Sequence, residues 1–82
     1  MTEAVKTTQF AEIVADVLEV DTDMVTDAAG PDTLPAWTSL RHLQLIVTLE
    51  ESYQVSFSYQ EVRNVRTVGH LRDVLRAKGA PV

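Results

Sequence analysis

Phe10, Ile13, Val14, Val17 and Leu18 follow one another at the i, i+3, i+4, i+7, i+8 spacing of a helix with one apolar stripe. Such a stripe has to be buried against another element, and the rest of the chain offers further helices and no sheet. The one segment with strict strand alternation, Tyr53 to Tyr59 (YQVSFSY), has no second strand to pair with, and an isolated strand is not stable in water. Its end, Ser58-Tyr59-Gln60-Glu61, also fits a capping box, in which Ser58 accepts from the backbone of Glu61 and Glu61 reaches back. The segment therefore reads as an extended connector into a short helix over about 59–64.

Three longer helices complete the expectation. The first spans about 3–19, capped by Thr2, or by Thr7 or Thr8 if its first turn is frayed. The second spans about 39–53, with Leu40, Leu43, Ile46, Val47 and Leu49 as its apolar face and Arg41, His42, Gln44, Thr48 and Glu51 pointing elsewhere. The last starts at Thr67 as cap, buries Val68, Leu71, Val74 and Leu75, and stops at Gly79 and Pro81 after Arg76 and Lys78. Between the first two lies a long loop, 21–36, with Met24, Val25 and Leu34 as its attachments to the core. Loops of that length are more often functional than accidental. The fold class is all-α: a four-helix bundle with a long loop between the first and second helices and a short third helix. At 82 residues it forms a single domain with one core.

The composition removes several function classes. There is no cysteine, so disulfides, zinc–thiolate sites and thiol catalysis are excluded, as suits a cytoplasmic domain. No apolar run approaches a membrane span. Residues 1–40 hold eight acids against Lys6 alone (net -7), whereas residues 41–82 hold six bases against four acids (net +2). The acidic half repels phosphate backbones, and the bases of the other half have no interleaved aromatics to stack on bases, which argues against nucleic acid. Asp21, Asp23 and Asp27 suggest a calcium loop, but Val25 and Thr26 stand where a ligand and a glycine are needed. His42 and His70 have no third ligand beside them and read as solvated histidines. Ser39 and His42, at i and i+3, could touch as a dyad, but no glycine-rich turn supplies an oxyanion hole.

Ser39 itself carries two readings. In one it is the N-cap of the second helix, a position serine favours. In the other it is an accessible hydroxyl at the positive end of a helix dipole, a place that suits a phosphodiester.

Several pieces in order resemble an acyl carrier protein over nearly the whole chain. Val17-Leu18-Glu19-Val20 followed by Met24-Val25-Thr26 resembles the end of that family's first helix and its "V-T" turn. Ser39-Leu40 matches the Ser-Leu of the Asp-Ser-Leu attachment motif. Leu49-Glu50-Glu51-Ser52-Tyr53 resembles "LEEEF", and Val65 to Leu71 resembles "I-x-T-V-x-x-L". The resemblance implies a single carrier domain over 1–82, a non-catalytic cytoplasmic monomer, whose Ser39 receives 4'-phosphopantetheine from coenzyme A through a phosphopantetheinyl transferase. Acyl-loading and condensing enzymes are its further implied partners.

The departures point to a particular branch. Thr38 stands where the family usually has Asp, and Arg41 and Gln44 replace frequent acids, so the face that fatty-acid enzymes read is less negative. Trp37, two residues before the serine, resembles a subset of stand-alone carriers. A dedicated carrier of a secondary-metabolite pathway, polyketide-like or related, is the resulting expectation. A peptidyl or aryl carrier would usually show Gly-Gly where Ala36-Trp37 stands, and a small helical interaction module with Ser39 only as a cap is the alternative from another class. Thr38, Leu40, Arg41, His42, Leu45, Val62 and Arg63 are expected to surround Ser39 or to face partners. Phe10, Val14, Val17, Leu18, Leu43, Ile46, Leu49, Phe57, Val68, Leu71 and Leu75 are the expected core. Leu43→Ala should then cost roughly 2–5 kcal/mol and Arg41→Asp almost nothing.

Overall fold

The computed structural model describes the backbone from Thr2 to Val82 and the side chains from Gln9 onward. The expected caps Thr2, Thr7 and Thr8 lie outside the described side chains. Among the described residues there are four α-helices, α1 (Thr2–Leu18), α2 (Ser39–Tyr53), α3 (Tyr59–Asn64) and α4 (Val68–Ala77), and no strand. No described helix is long and apolar enough to cross a membrane.

Each helix ends for a local reason. Thr67 caps α4 by accepting from the His70 N–H, and Ser58 and Glu61 form the expected capping box on α3. At the other ends, α1, α2 and α4 close in the same way. Glu19 (φ 58), Gln54 (φ 55) and Gly79 (φ 88) turn left-handed. The next residue's N–H then bonds back to a carbonyl in the last turn: Val20 to Ala15, Val55 to Glu50 and Ala80 to Leu75. Only Gly79 announces such a turn by its residue type. Glu19 and Gln54 adopt it against a steric cost, and each is followed by a valine packed against the core.

Phe10, Val14 and Leu18 of α1, Leu45, Ile46 and Leu49 of α2, Val65, and Val68, Leu71 and Leu75 of α4 form the core, each 4% exposed or less. Val17 and Phe57 pack at its edge, half-buried. Leu43 does not belong to it: the side chain is 56% exposed, and Leu45 takes the central place. The α2 face is thus rotated from the expected one, with Leu40, Leu43 and Val47 outward.

The long loop is held down more firmly than its composition suggests. Its residues Ala29, Leu34 and Trp37 are buried, whereas Met24, an expected attachment, is 49% exposed. Val25 is half-buried against the core. The Ala29 and Asp27 carbonyls accept from the Val68 and Gly69 N–H groups at 2.8 and 3.0 Å, so the loop satisfies the first orphan donors of α4. Arg72 of α4 pairs with the Asp27 carboxylate and lies over the Phe10 ring. After α2 the chain runs through 55–58 without regular secondary structure, with Ser58 extended before α3. There the Phe57 N–H donates to the Glu50 carboxylate at 2.8 Å, and the Lys78 ammonium lies over the Phe57 ring.

Lys78 also meets Glu61 at 2.9 Å, tying α3 to the end of α4. That contact, with the Ser58 backbone N–H, holds the Glu61 carboxyl below the usual carboxylate range. A carboxyl depressed on folding stabilises at pH values above its unfolded pKa, and this is lost as pH falls through the folded one. Thermal melting of the parent should therefore fall more steeply between about pH 5 and pH 3 than that of Glu61→Gln. Equal slopes would contradict the contact.

Candidate functional site: the N-terminus of α2 and the cleft beside it

The turn into α2 is built by Leu34, Trp37 and Thr38. Leu34 and Trp37 are buried and fix the path of the loop, and Thr38, in extended conformation, is the helix N-cap. Its hydroxyl accepts from the Arg41 N–H at 3.3 Å and its carbonyl from the His42 N–H at 2.9 Å. Ser39 is consequently not the cap. It is the first residue of α2, exposed, and its hydroxyl engages no partner among the described residues.

His42 is not a solvated histidine. The Trp37 indole N–H can only donate, so His42 Nδ1 accepts it, at 3.0 Å, and the ring proton stands on Nε2. From there it donates to the Val62 carbonyl of α3 at 2.8 Å. The two rings stack at 6.0 Å between centroids. One imidazole thus joins the loop, α2 and α3, and both of its nitrogens are committed. Neither is available to take a proton from Ser39, which removes the dyad.

Beside Ser39 an open cleft of about 330 Å³ runs between the start of α2 and α3. Trp37, Thr38, Ser39, His42 and Leu43 line one side, Tyr59, Val62, Arg63, Val65 and Arg66 the other, with Pro31 completing it. Of the residues expected at the site, Thr38, Ser39, His42, Val62 and Arg63 meet here. Leu40 is 66% exposed on the outer face. Arg41 turns away from Ser39, donates to the Leu18 carbonyl at 2.7 Å and pairs with Glu19 at 3.3 Å, so it fastens α2 to the end of α1. Leu45 cannot face a partner, being fully buried. Leu43, Tyr59 and Arg66 were not anticipated. The signal for Leu43 was its place one turn after Ser39 beside Leu40, and for Arg66 its place three residues after Arg63, itself an expected site residue.

Arg63 lies over the exposed Tyr59 ring at 5.6 Å. Among the described residues no group of three metal-ligating side chains is gathered anywhere. Neither a known family nor a curated protein matches this chain.

Proposed function

We propose that this chain is an acyl carrier, with Ser39 as the attachment point of a 4'-phosphopantetheine arm. The observation that carries the reading is the division of labour at the start of α2. Thr38 does the capping, so an exposed serine hydroxyl is left at the first helical position with no structural task. The setting fits the group. Thr38 takes the N–H groups of Arg41 and His42, whereas those of Ser39 and Leu40 have no partner among the described residues, and a phosphodiester there would meet them and the positive end of the helix dipole. The adjoining cleft is open and has apolar walls into which the start of an arm can lie.

When bound, the arm supplies a thiol, which the cysteine-free chain lacks, and so a place for acyl groups as thioesters. The chain's own residues hold the serine at the surface, and the His42 bridge keeps α3 beside it. A phosphopantetheinyl transferase and acyl-loading and condensing enzymes are the partners this reading requires. The absence of acids on α2 before Glu50 favours a dedicated pathway, polyketide-like or related, over the fatty-acid synthases of the cell. The competing reading, a helical interaction module with no prosthetic group, is favoured by the exposed apolar stripe of Leu40, Leu43 and Val47. It can no longer rest on Ser39 as a cap.

Intact mass after incubation with coenzyme A and a broad-specificity phosphopantetheinyl transferase separates the two. The parent should gain one phosphopantetheine and Ser39→Ala none, with unchanged circular dichroism. No gain on the folded parent with several transferases, or a gain on Ser39→Ala, would overturn the carrier reading.

A further inference from the structure

The charge around Ser39 runs against the charge of the molecule. The chain carries a net charge of -5, but no carboxylate lines the cleft, whose only charged members are Arg63 and Arg66. Asp32, which follows Pro31 of the lining, is not part of it. Of the acids on the neighbouring elements, Glu19 pairs with Arg41, Glu50 accepts the Phe57 N–H, and Glu61 meets Lys78, whereas Asp32 is exposed beside Pro31. Arg63 and Arg66 are exposed, with no carboxylate of the described residues within ion-pair distance of either.

An apolar surface adjoins these two cations. Leu40, Leu43 and Val47 stand at i, i+3 and i+7 on the outer side of α2, and each is more than half exposed. Tyr59, 72% exposed, stands across the cleft from Leu43. Leu43 and Tyr59 share the cleft with Ser39 and the two cations, and Leu40 and Val47 extend the apolar stripe along α2, which makes a surface that water solvates poorly and that one kind of charge complements.

We propose that this face docks a protein partner whose own patch is an apolar ridge edged with carboxylates, which pair with Arg63 and Arg66. An anionic membrane is the other surface such a patch could suggest. Two cations are fewer than the clusters of about 4–8 that hold a protein on acidic lipid, and the net charge opposes it. The proposal concerns the docking face and rests on the carrier reading only in that the partner must reach Ser39.

Two labelled amphipathic helical peptides with the same apolar face, one flanked by glutamates and one by lysines, test it by fluorescence anisotropy on the unmodified protein. The net charge by itself predicts preference for the lysine peptide; the local face predicts the glutamate peptide, by about tenfold, from two exposed pairs made instead of two repulsions. The preference should shrink with added salt and reverse in the double variant Arg63→Glu, Arg66→Glu. Leu43→Ser should weaken both peptides alike. The proposal is overturned if the lysine peptide binds more tightly, if neither peptide binds, or if the double variant leaves the preference unchanged. It is also overturned if the protein binds phosphatidylserine vesicles through the same arginines, or self-associates through the stripe in light scattering. The peptides read the face and not the serine, so failure of phosphopantetheine transfer would leave this result standing and would count against the carrier reading alone.

Discussion

Leu45→Ala is expected to lower the free energy of unfolding by about 2–5 kcal/mol, whereas Leu43→Ala should change it by less than about 0.5 kcal/mol. Leu45 is 0% exposed and sits in the core with Leu18, Leu49 and Leu71, so truncation removes transfer free energy and leaves a cavity. Leu43 is 56% exposed and has little burial to lose. A domain of this length is held by only about 4–12 kcal/mol, so Leu45→Ala should move the urea midpoint far and could leave part of the population unfolded at room temperature. Arg41→Asp is the informative companion. It removes the donor to the Leu18 carbonyl and places an acid beside Glu19, partly offset by the acid's place at the positive end of α2, so about 1 kcal/mol should be lost where a partner-facing arginine would lose none. Equal midpoints for Leu45→Ala and Leu43→Ala would contradict the orientation of α2.

Gly30→Ala should cost about 3 kcal/mol or more. Gly30 is buried against the chain between α3 and α4, and a Cβ there would lie well inside the contact distance of the Arg66 carbonyl oxygen. Both partners are backbone, so neither can yield by changing rotamer. The loop would have to lift, straining the neighbouring bond from the Val68 N–H to the Ala29 carbonyl. Because Pro31 and Arg66 both line the cleft, the same displacement should slow phosphopantetheine transfer to Ser39 even in molecules that stay folded. Gly79→Ala provides the contrast: a Cβ meets nothing within 4 Å there, and only the left-handed φ of 88° is penalised, at about 1–2 kcal/mol. Thermal or urea unfolding should rank Gly30→Ala well below Gly79→Ala, and the reverse order would show that the loop does not press on Arg66.

The helices were legible because caps and periodicity are local. Thr67, the Ser58–Glu61 box and Gly79 each act on bonds within a few residues, and α3 and α4 begin where those signals put them. The left-handed turns at Glu19 and Gln54 escaped, since their residue types do not announce a positive φ. The trace they left is the valine that follows each one.

The orientation of α2 was not legible, because the helix offers two apolar stripes. One is Leu40, Leu43 and Val47; the other is Leu45, Ile46 and Leu49, continued by Tyr53 and interrupted by His42. Periodicity is satisfied by both, and the polar His42 made the true inner stripe look weaker. On the inner side the imidazole meets the Trp37 indole, five residues back in the loop, and the Val62 carbonyl of α3, which is not near His42 until the chain has folded.

The same division applies to Ser39. By itself the sequence determined that a helix starts here after a long loop, because loop-breaking residues and helical spacing are properties of neighbours in the chain. Only the tertiary structure decided that Ser39 stands exposed beside a cleft edged with arginines, because burial, the backbone contact at Gly30 and the bond of His42 to the Val62 carbonyl join residues far apart in the chain.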